Sequence, residues 1–511
     1  MLGTTWERWG NYAGLALDAW TLQAATDATA RQQARRHLAE RLGRMRGLPQ
    51  KLGQIFASTN GSEAADYSSL TDSAEPLPWE VIRPLLAEAW RCDPEQRLAS
   101  ISKQGLAASL GQVHRAQTKQ GREIAVKIQF PGIRDALDSD LQLVDWLSLP
   151  MGGLGRGFDT AAYQATLRAD LERELDYSME AAGQREFAAA WNHDPQVIVP
   201  RVIPELSTAR VLASDWENGD RWEEVLRNWT TSERRQLAEL LARWFMTSLF
   251  RHGLVHADLH PGNIRFRRGP AGVQIVVYDF GCLWRPSPVE RLSLLRLIRA
   301  SIRCDESPWP CFLQLGFRRD LLTPLAPKLG EICRVLWEPF VAEAPYTLSQ
   351  WRLSERLAEI LGDDRWNFRI AAPASLLWLV RAMQGFKLYL EGLGQPVPFR
   401  RLLDPILQDL RGDLDRLTLP RDRGPAIDAG KLAKHLKIRV REAGTTKVEL
   451  TSPASCIDNL EDWLDDELRA KLVERRIDLV GIVAGVRSRR YSPGPVFTLE
   501  EGQKQVAVWL E

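Results

Sequence analysis

At 511 residues the chain is too long for one ordinary domain; it suits two to four domains, or a two-lobed core with additions. Apolar residues make up 44% and charged residues 26%, the balance of a globular protein, and 67 Lys and Arg against 66 Asp and Glu leave a net charge of +1, which excludes a global field that gathers nucleic acid or anionic lipid. The six cysteines (Cys92, Cys282, Cys304, Cys311, Cys333 and Cys456) form no C-x-x-C pair, so no disulfide framework or zinc ribbon is expected and a reducing cytosol fits.

Residues 5–58 carry an amphipathic helical pattern that Pro49 interrupts, opening a new helix at Gln50 or Lys51. No basic region followed by an apolar run begins the chain. No stretch approaches 18 uninterrupted apolar residues, and the best, 480–486, is far too short for a bilayer. We therefore expect no signal peptide and no transmembrane segment, and a cytoplasmic protein; peripheral membrane contact through the N-terminal helix stays open.

A polar stretch, 59–73, precedes Pro76 and Pro78, which introduce a helix over 79–90. Two β-prone segments, 107–116 and 123–129, flank Thr118-Lys119-Gln120-Gly121-Arg122, a natural hairpin turn. Helical patterns follow over 133–147 and 161–191, then strands over 197–202 and 209–214. Asn218-Gly219-Asp220 is turn-like and suits an interlobe hinge. From 222 to 417 the chain reads mostly helical, broken by a loop-strand-loop insert at 254–282. A Pro- and Gly-containing linker, 420–430, leads to a tail that changes character. Strands are expected over 436–441, 447–451, 496–499 and 505–510, with a helix over 460–474. The acidic start of that helix (Glu461, Asp462, Asp465, Asp466, Glu467) suits its dipole and requires no function. Among the 19 Trp, Trp79, Trp90, Trp146 and Trp378 sit in apolar helical patterns and are assigned to the core. The densest basic run, Arg265, Arg267 and Arg268, reads as solvated surface.

The segment His256-Ala257-Asp258-Leu259-His260-Pro261-Gly262-Asn263 has the H-x-D-x-x-x-x-N spacing of a kinase catalytic loop. Asp279-Phe280-Gly281 follows the strand-like 273–278. A nucleoside triphosphate needs Mg²⁺ on its oxygens, and the hard oxygens of Asn263 and Asp279 suit that ion. Asp258 would accept the proton of an attacking hydroxyl or orient water, in a reaction driven by positioning and charge stabilisation. A strand lysine should reach the α- and β-phosphates, and Ile124-Ala125-Val126-Lys127 supplies it. The acidic helix around Glu174, Asp176 and Glu180 can hold that lysine. Each motif alone is weak; their order and spacing together carry the reading.

No G-x-G-x-x-G precedes Lys127. In its place stands Gly105-Leu106-Ala107-Ala108-Ser109-Leu110-Gly111-Gln112-Val113-His114-Arg115-Ala116. This alanine-rich loop, Val126-Lys127-Ile128-Gln129-Phe130-Pro131-Gly132, Lys51-Leu52-Gly53-Gln54, Glu174-Leu175-Asp176-Tyr177-Ser178-Met179-Glu180-Ala181 and the 256–263 loop together resemble the UbiB family of atypical kinases over residues 40–420. The resemblance implies that Lys127 holds phosphates with Glu180 as its partner, that Asp258 takes the base position, and that Asn263 and Asp279 bind Mg²⁺. It implies that Ala107, Ala108 and Ser109 lie over the nucleotide (ATP or ADP), where alanines hold the backbone off more than glycines would. It also implies that Lys51 and Gln54 fold over the site to meet Glu174 and Asp176, obstructing a protein substrate. ATP hydrolysis, or transfer to a small or lipid-like acceptor, then fits best, in support of isoprenoid-lipid (quinone) metabolism. Leu259 departs from the family's usual Pro. The 431–511 module stands where many members carry transmembrane segments.

The expected architecture is α+β: a protein-kinase-like two-lobed fold with a helical N-terminal extension (1–92), a small β-containing N-lobe (93–218), a mainly helical C-lobe (219–420) and a small α+β module (431–511) whose protein partner is unknown. No nucleic-acid partner is expected. A nucleotide-gated regulatory pseudokinase with negligible turnover is the alternative reading. A zinc site on His252, His256 and His260, four residues apart, is a third, but Pro261-Gly262 ends any helix there and no H-E-x-x-H is present.

Overall fold

The structure is a computed structural model. Its described residues are 76–133 and 175–303, without Ser109 and Ala271, then 306–422 and Gly424, and in the tail 433–457 and 478–511 with gaps of one or two residues. The helices expected over 5–58 and 460–474, nearly all of 133–147, the linker's larger part and Trp146 lie outside them, as do Lys51, Gln54, Ser109 and Glu174. Contacts divide the chain into two compact units: residues up to Pro286 with Ala374–Val397, and Ser287–Pro373 with Pro398–Glu511.

The first unit opens with helix α1 (Trp79–Trp90) and the one-turn α2 (Pro94–Arg97). Strands β1 (Leu98–Ile101), β2 (Leu106–Ala107), β3 (Gly111–Thr118) and β4 (Glu123–Gln129) follow. Together with β6 (Val211–Asp215) they form an antiparallel sheet in the order β1-β3-β4-β6, with β2 paired to β3. The β3–β4 turn closes as the sequence predicts, with Gly121 at φ +81, a conformation its missing Cβ permits. The expected strand 107–116 is instead two antiparallel strands, and between them the Ala108 N–H donates to the Gly111 carbonyl.

Alternation along β4 decides what each sheet face does. Ile124, Val126 and Ile128 are buried on one face against Ile82, Leu86 and Trp90, the apolar stripe of α1. Lys127 points to the other face, where α3 (Tyr177–Trp191) packs Tyr177 and Ala181 with Leu212. The helical pattern expected over 161–191 breaks at Asp176. That residue is extended and caps α3, its carboxylate accepting from the Ser178 N–H at 2.9 Å, so Glu180 lies on the helix and Asp176 does not.

Beyond α3, β5 is only Val197–Ile198; Val202 makes an isolated bridge to Ser214, so the expected strand 197–202 is much shortened. The segment after β6 runs through Asn218-Gly219 to Asp220, which exchanges two main-chain hydrogen bonds with Phe266. Helices α4 (Trp222–Asn228) and α5 (Thr231–Thr247) follow, α5 opened by a Thr230–Glu233 capping box. Short β7 (Val255–His256) pairs with β10 (Leu283–Trp284), and β8 (Ile264–Gly269) forms a hairpin with β9 (Gly272–Val277). A small β-rich lobe thus precedes a lobe built mainly on helices, the two-lobed protein-kinase-like α+β fold expected from the sequence.

In the second unit the chain forms α6 (Pro288–Arg303), α7 (Trp309–Gln314), α8 (Arg319–Leu322), α9 (Leu329–Val341), α10 (Leu353–Leu361) and α11 (Arg365–Ala371). It then returns to the first unit as α12 (Leu376–Leu393) before α13 (Phe399–Asp409) and α14 (Arg411–Arg416) of the second. The tail forms β11 (His435–Glu442), β12 (Thr445–Pro453), α15 (Leu479–Ser488), β13 (Gly494–Glu501) and β14 (Lys504–Leu510). Its sheet, ordered β12-β11-β14-β13, buries Leu436, Ile438, Val506 and Val508 with Val486 of α15. Of the apolar run at 480–486, Val486 therefore joins the core of this module, with Ile482 and Val483 packed against it. Among the described residues no helix is long and apolar enough to cross a membrane.

Trp79 and Trp90 are buried as expected, but Trp378 is only half-buried. The basic run lies at the surface, as expected, and its arginines have partners there. Arg267 pairs with Glu217 at 2.7 Å and Arg268 with Glu233 at 2.5 Å, while Arg265 donates to the Pro261 carbonyl at 2.8 Å.

Candidate active site

Lys127 lies in the middle of β4, opposite Val113 on one side and Leu212 on the other. Its Nζ donates to both carboxylate oxygens of Glu180 at 2.8 Å and to Asp279 Oδ2 at 3.3 Å, over the Tyr177 ring at 5.0 Å. The Lys127 side chain is 14% exposed and that of Glu180 3%. Burial disfavours the ammonium, yet the carboxylates of Asp279 and Glu180 outweigh it and hold the lysine pKa well above its usual value. Glu180 reaches Lys127 because Asp176 starts α3 one turn earlier. Gly111 lets this assembly close: a Cβ there would run into the Ile128 carbonyl and lie 2.6 Å from the Tyr177 hydroxyl.

The 256–263 loop begins where β7 ends. The Ala257 N–H donates to Cys282 O, which registers the loop against the segment after Asp279. Asn263 Nδ2 donates to the Asp258 carbonyl at 3.1 Å, which leaves the amide oxygen as the acceptor end of the side chain. Asp258 is buried and its Oδ1 accepts from Arg381 Nη2 at 2.7 Å. Leu259 is buried, and its main chain lies against Gly385, where a Cβ would strike the Leu259 carbonyl.

Asp279 has φ +55, a left-handed conformation rare outside glycine, and its side chain is 26% exposed. Its Oδ1 accepts from the Gly281 N–H at 3.3 Å. Phe280 packs on Phe187 of α3 at 5.3 Å between ring centres, and Gly183 leaves room beside the Phe280 carbonyl. The three histidines of the zinc reading fall on three different elements. His252 ends a π-turn against Trp191, His256 lies in β7, and His260 accepts from the Gly262 N–H in the loop. Among the described residues no group of three or more His, Cys, Asp or Glu is placed to hold a metal.

Lys127, Glu180 and Asp279 therefore meet directly, and Asp258 and Asn263 meet through one hydrogen bond. Ala107 and Ala108 stand at the end of β2, where the chain turns into β3. Lys51, Gln54, Ser109 and Glu174 lie outside the described residues. One carboxylate and one amide oxygen make a donor set for a hard cation that keeps waters and phosphate oxygens as its other ligands, so three protein carboxylates are not required. Sequence reading missed Arg381. The signal was available: an arginine inside the apolar run of Leu376–Leu393 needs a buried partner.

A family model described as the ABC1 atypical kinase-like domain matches residues 69–308. The chain is 32% identical over 262 residues to the uncharacterized protein Rv0647c of Mycobacterium tuberculosis, covering 49% of this chain and 53% of that protein. It is 26% identical over 336 residues to the atypical kinase COQ8B, mitochondrial, of Rattus norvegicus, covering 63% and 62%. The chain thus spans little more than half the length of these curated relatives. Among solved structures, Mycobacterium tuberculosis Rv3197 in complex with erythromycin is similar over 74% of this chain and 97% of that one, with 29% identity and a TM-score of 0.54. Residues 69–308, which carry the strand lysine, its glutamate partner and both loops of the site, match the UbiB/ABC1 family of atypical kinases.

Proposed function

We propose that the protein binds ATP with Mg²⁺ and either hydrolyses it or transfers its terminal phosphoryl group to a small or lipid-like acceptor. The observation that carries this reading is the three-way contact of Lys127 with Glu180 and Asp279. Glu180 fixes the lysine so that its charge faces the phosphate oxygens. Asn263 and Asp279 would hold the Mg²⁺, which neutralises the oxygens of the triphosphate when bound. Asp258 orients the attacking hydroxyl or water and accepts its proton. Ala107, Ala108 and Ser109 cover the nucleotide.

An acceptor in isoprenoid-lipid metabolism follows from the family resemblance, as does the folding of Lys51 and Gln54 over Glu174 and Asp176. The amphipathic pattern of residues 5–58 supports peripheral contact of a cytoplasmic protein with a membrane. The test is Mg²⁺-dependent ATP turnover by the purified chain beside Asp279→Asn, with and without liposomes. Turnover abolished by the substitution supports the reading. Nucleotide binding without turnover under every condition replaces it with a nucleotide-gated regulator.

A further inference from the structure

Helix α12 lies outside the residues that match the family, yet it touches the 256–263 loop twice, one turn apart. Arg381 pairs with Asp258 at 2.7 Å, each side chain 9% exposed. Gly385 admits the main chain of Leu259, the next loop residue, so closely that a Cβ would collide with its carbonyl. The helix is itself pinned within the same unit. Phe386 stacks on Phe245 of α5 with ring centres 4.5 Å apart, and Tyr389 meets Trp222 of α4 edge-on at 4.9 Å and Phe266 of β8 at 5.7 Å. Aromatic contacts thus fix the helix, and the helix presents a planar cation to a loop carboxylate.

We propose that Arg381 is a positioning residue for the reaction at Asp258. It holds the carboxylate in one rotamer, aimed at the attacking hydroxyl or water. The inference rests on the reading of Asp258 as the acceptor-facing carboxylate. A guanidinium suits the task because its donors lie in one rigid plane, whereas a lysine ammonium supplies charge without fixing orientation. A buried carboxylate deprived of its cation turns toward water, which spoils the geometry that the step requires. Gly385 is part of the same device, since a side chain there would push the loop away from Arg381.

The experiment compares Mg²⁺-dependent ATP turnover and melting temperature of the full chain with Arg381→Lys, Arg381→Gln, Asp258→Asn and the double variant Asp258→Asn/Arg381→Gln. Arg381→Gln is expected to lower kcat about 10²-fold, the effect of a misplacement near 1 Å, with KM for ATP changed less than about threefold. Arg381→Lys, which keeps the charge, recovers about tenfold of that loss and melts within a few degrees of the wild type. The double variant is no slower than Asp258→Asn alone, because the two groups act as one unit. Three outcomes overturn the proposal: kcat retained in folded Arg381→Gln, a rise in KM with kcat unchanged, or losses that multiply in the double variant. If Arg381→Gln does not fold, the Lys variant decides, and a kcat loss no larger than its unfolded fraction also overturns it. A wild type without turnover is a different failure. It defeats the enzymatic reading, and with it any role for Arg381 in a reaction.

Discussion

His256 Nε2 donates to the main-chain carbonyl of Asp279 at 2.7 Å and to that of Tyr278 at 3.0 Å. Its Nδ1 accepts from the Asp258 N–H at 3.3 Å, so the network assigns the neutral tautomer with the proton on Nε2. Burial pushes the imidazole pKa down, opposed in part by the Asp258 charge and the Tyr278 carbonyl. One ring thereby ties the loop that carries Asp258 to the residue whose left-handed backbone costs about 1–3 kcal/mol and needs a brace.

Replacing that brace should disturb both loops. His256→Ala leaves two carbonyls without their donor and is expected to cost about 1–3 kcal/mol in urea denaturation. Mg²⁺-dependent nucleotide affinity should fall with it, because Asp279 loses its fixed backbone. Wild-type affinity in a folded His256→Ala protein would show that Asp279 is held by other contacts.

The Lys127–Glu180 pair is buried, so its two halves are unequal to the whole. Removing Lys127 takes this cation from the buried Glu180 and should cost about 3–5 kcal/mol, while removing Glu180 leaves Lys127 to Asp279 and should cost less. Lys127→Met combined with Glu180→Gln is expected to cost less than the sum of the single changes. A thermodynamic cycle on the four proteins measures this coupling, and additive costs would contradict it.

Mg²⁺ should add to the stabilisation that nucleotide gives. With Mg·ADP at about 100 times its Kd, the wild type gains about 2.7 kcal/mol. In Asp279→Asn the magnesium-dependent part of the melting shift is expected to vanish, while the shift from metal-free ADP stays. Equal shifts in both proteins would remove Asp279 from the metal site.

His114 gives stability a dependence on pH. Its Nδ1 donates to the Ser102 carbonyl at 2.7 Å, and its Nε2 accepts from Gln112 Nε2 at 2.8 Å, while Gln112 Oε1 accepts from the Leu77 N–H at 2.7 Å. Burial lowers the imidazole pKa, offset in part by the Ser102 carbonyl. The folded pKa lies below the unfolded one of about 6.5, so this contribution is complete above about pH 6.5 and is lost as pH falls toward the folded value. Urea unfolding from pH 7.5 to 5.5 should show a shallower loss in His114→Gln than in the wild type. Parallel curves would refute the assignment.

Gly111→Ala should act on the site through β3. The added Cβ meets the Ile128 main chain and the Tyr177 hydroxyl, neither the far end of a flexible chain. A cost of about 1–3 kcal/mol is expected, with weaker nucleotide binding because Lys127 is the neighbour of Ile128. Calorimetry of binding beside thermal melting separates the two effects.

Much of the site was legible because its motifs are local. H-x-D-x-x-x-x-N, the strand before Asp279 and the alternation around Lys127 each depend on a short stretch of chain, and the structure gives each a matching local form: a loop between strands, a strand end and a two-faced strand. The start of α3 was not legible. The helical pattern runs on upstream of Asp176, and nothing in it ranks a capping bond to Ser178 above another helical turn. The partners of the basic run at 265–268 were not legible for a related reason, since the sequence gives the charges but not that Glu217 and Glu233 would fold against them.

The sequence by itself picked out the candidates for the chemistry, because a metal ligand, a phosphate-binding cation and a proton acceptor are chosen by residue type and short spacing. It also determined the order of strands and helices in the kinase-like lobes. Only the tertiary structure decided which acid meets Lys127, that Asp279 adopts a left-handed backbone under His256, and that Asp258 is paired with Arg381 from a helix 123 residues away. Those are long-range contacts selected by packing: a buried charge needs its counter-charge at a fixed distance, and no local propensity encodes where in the chain that partner lies.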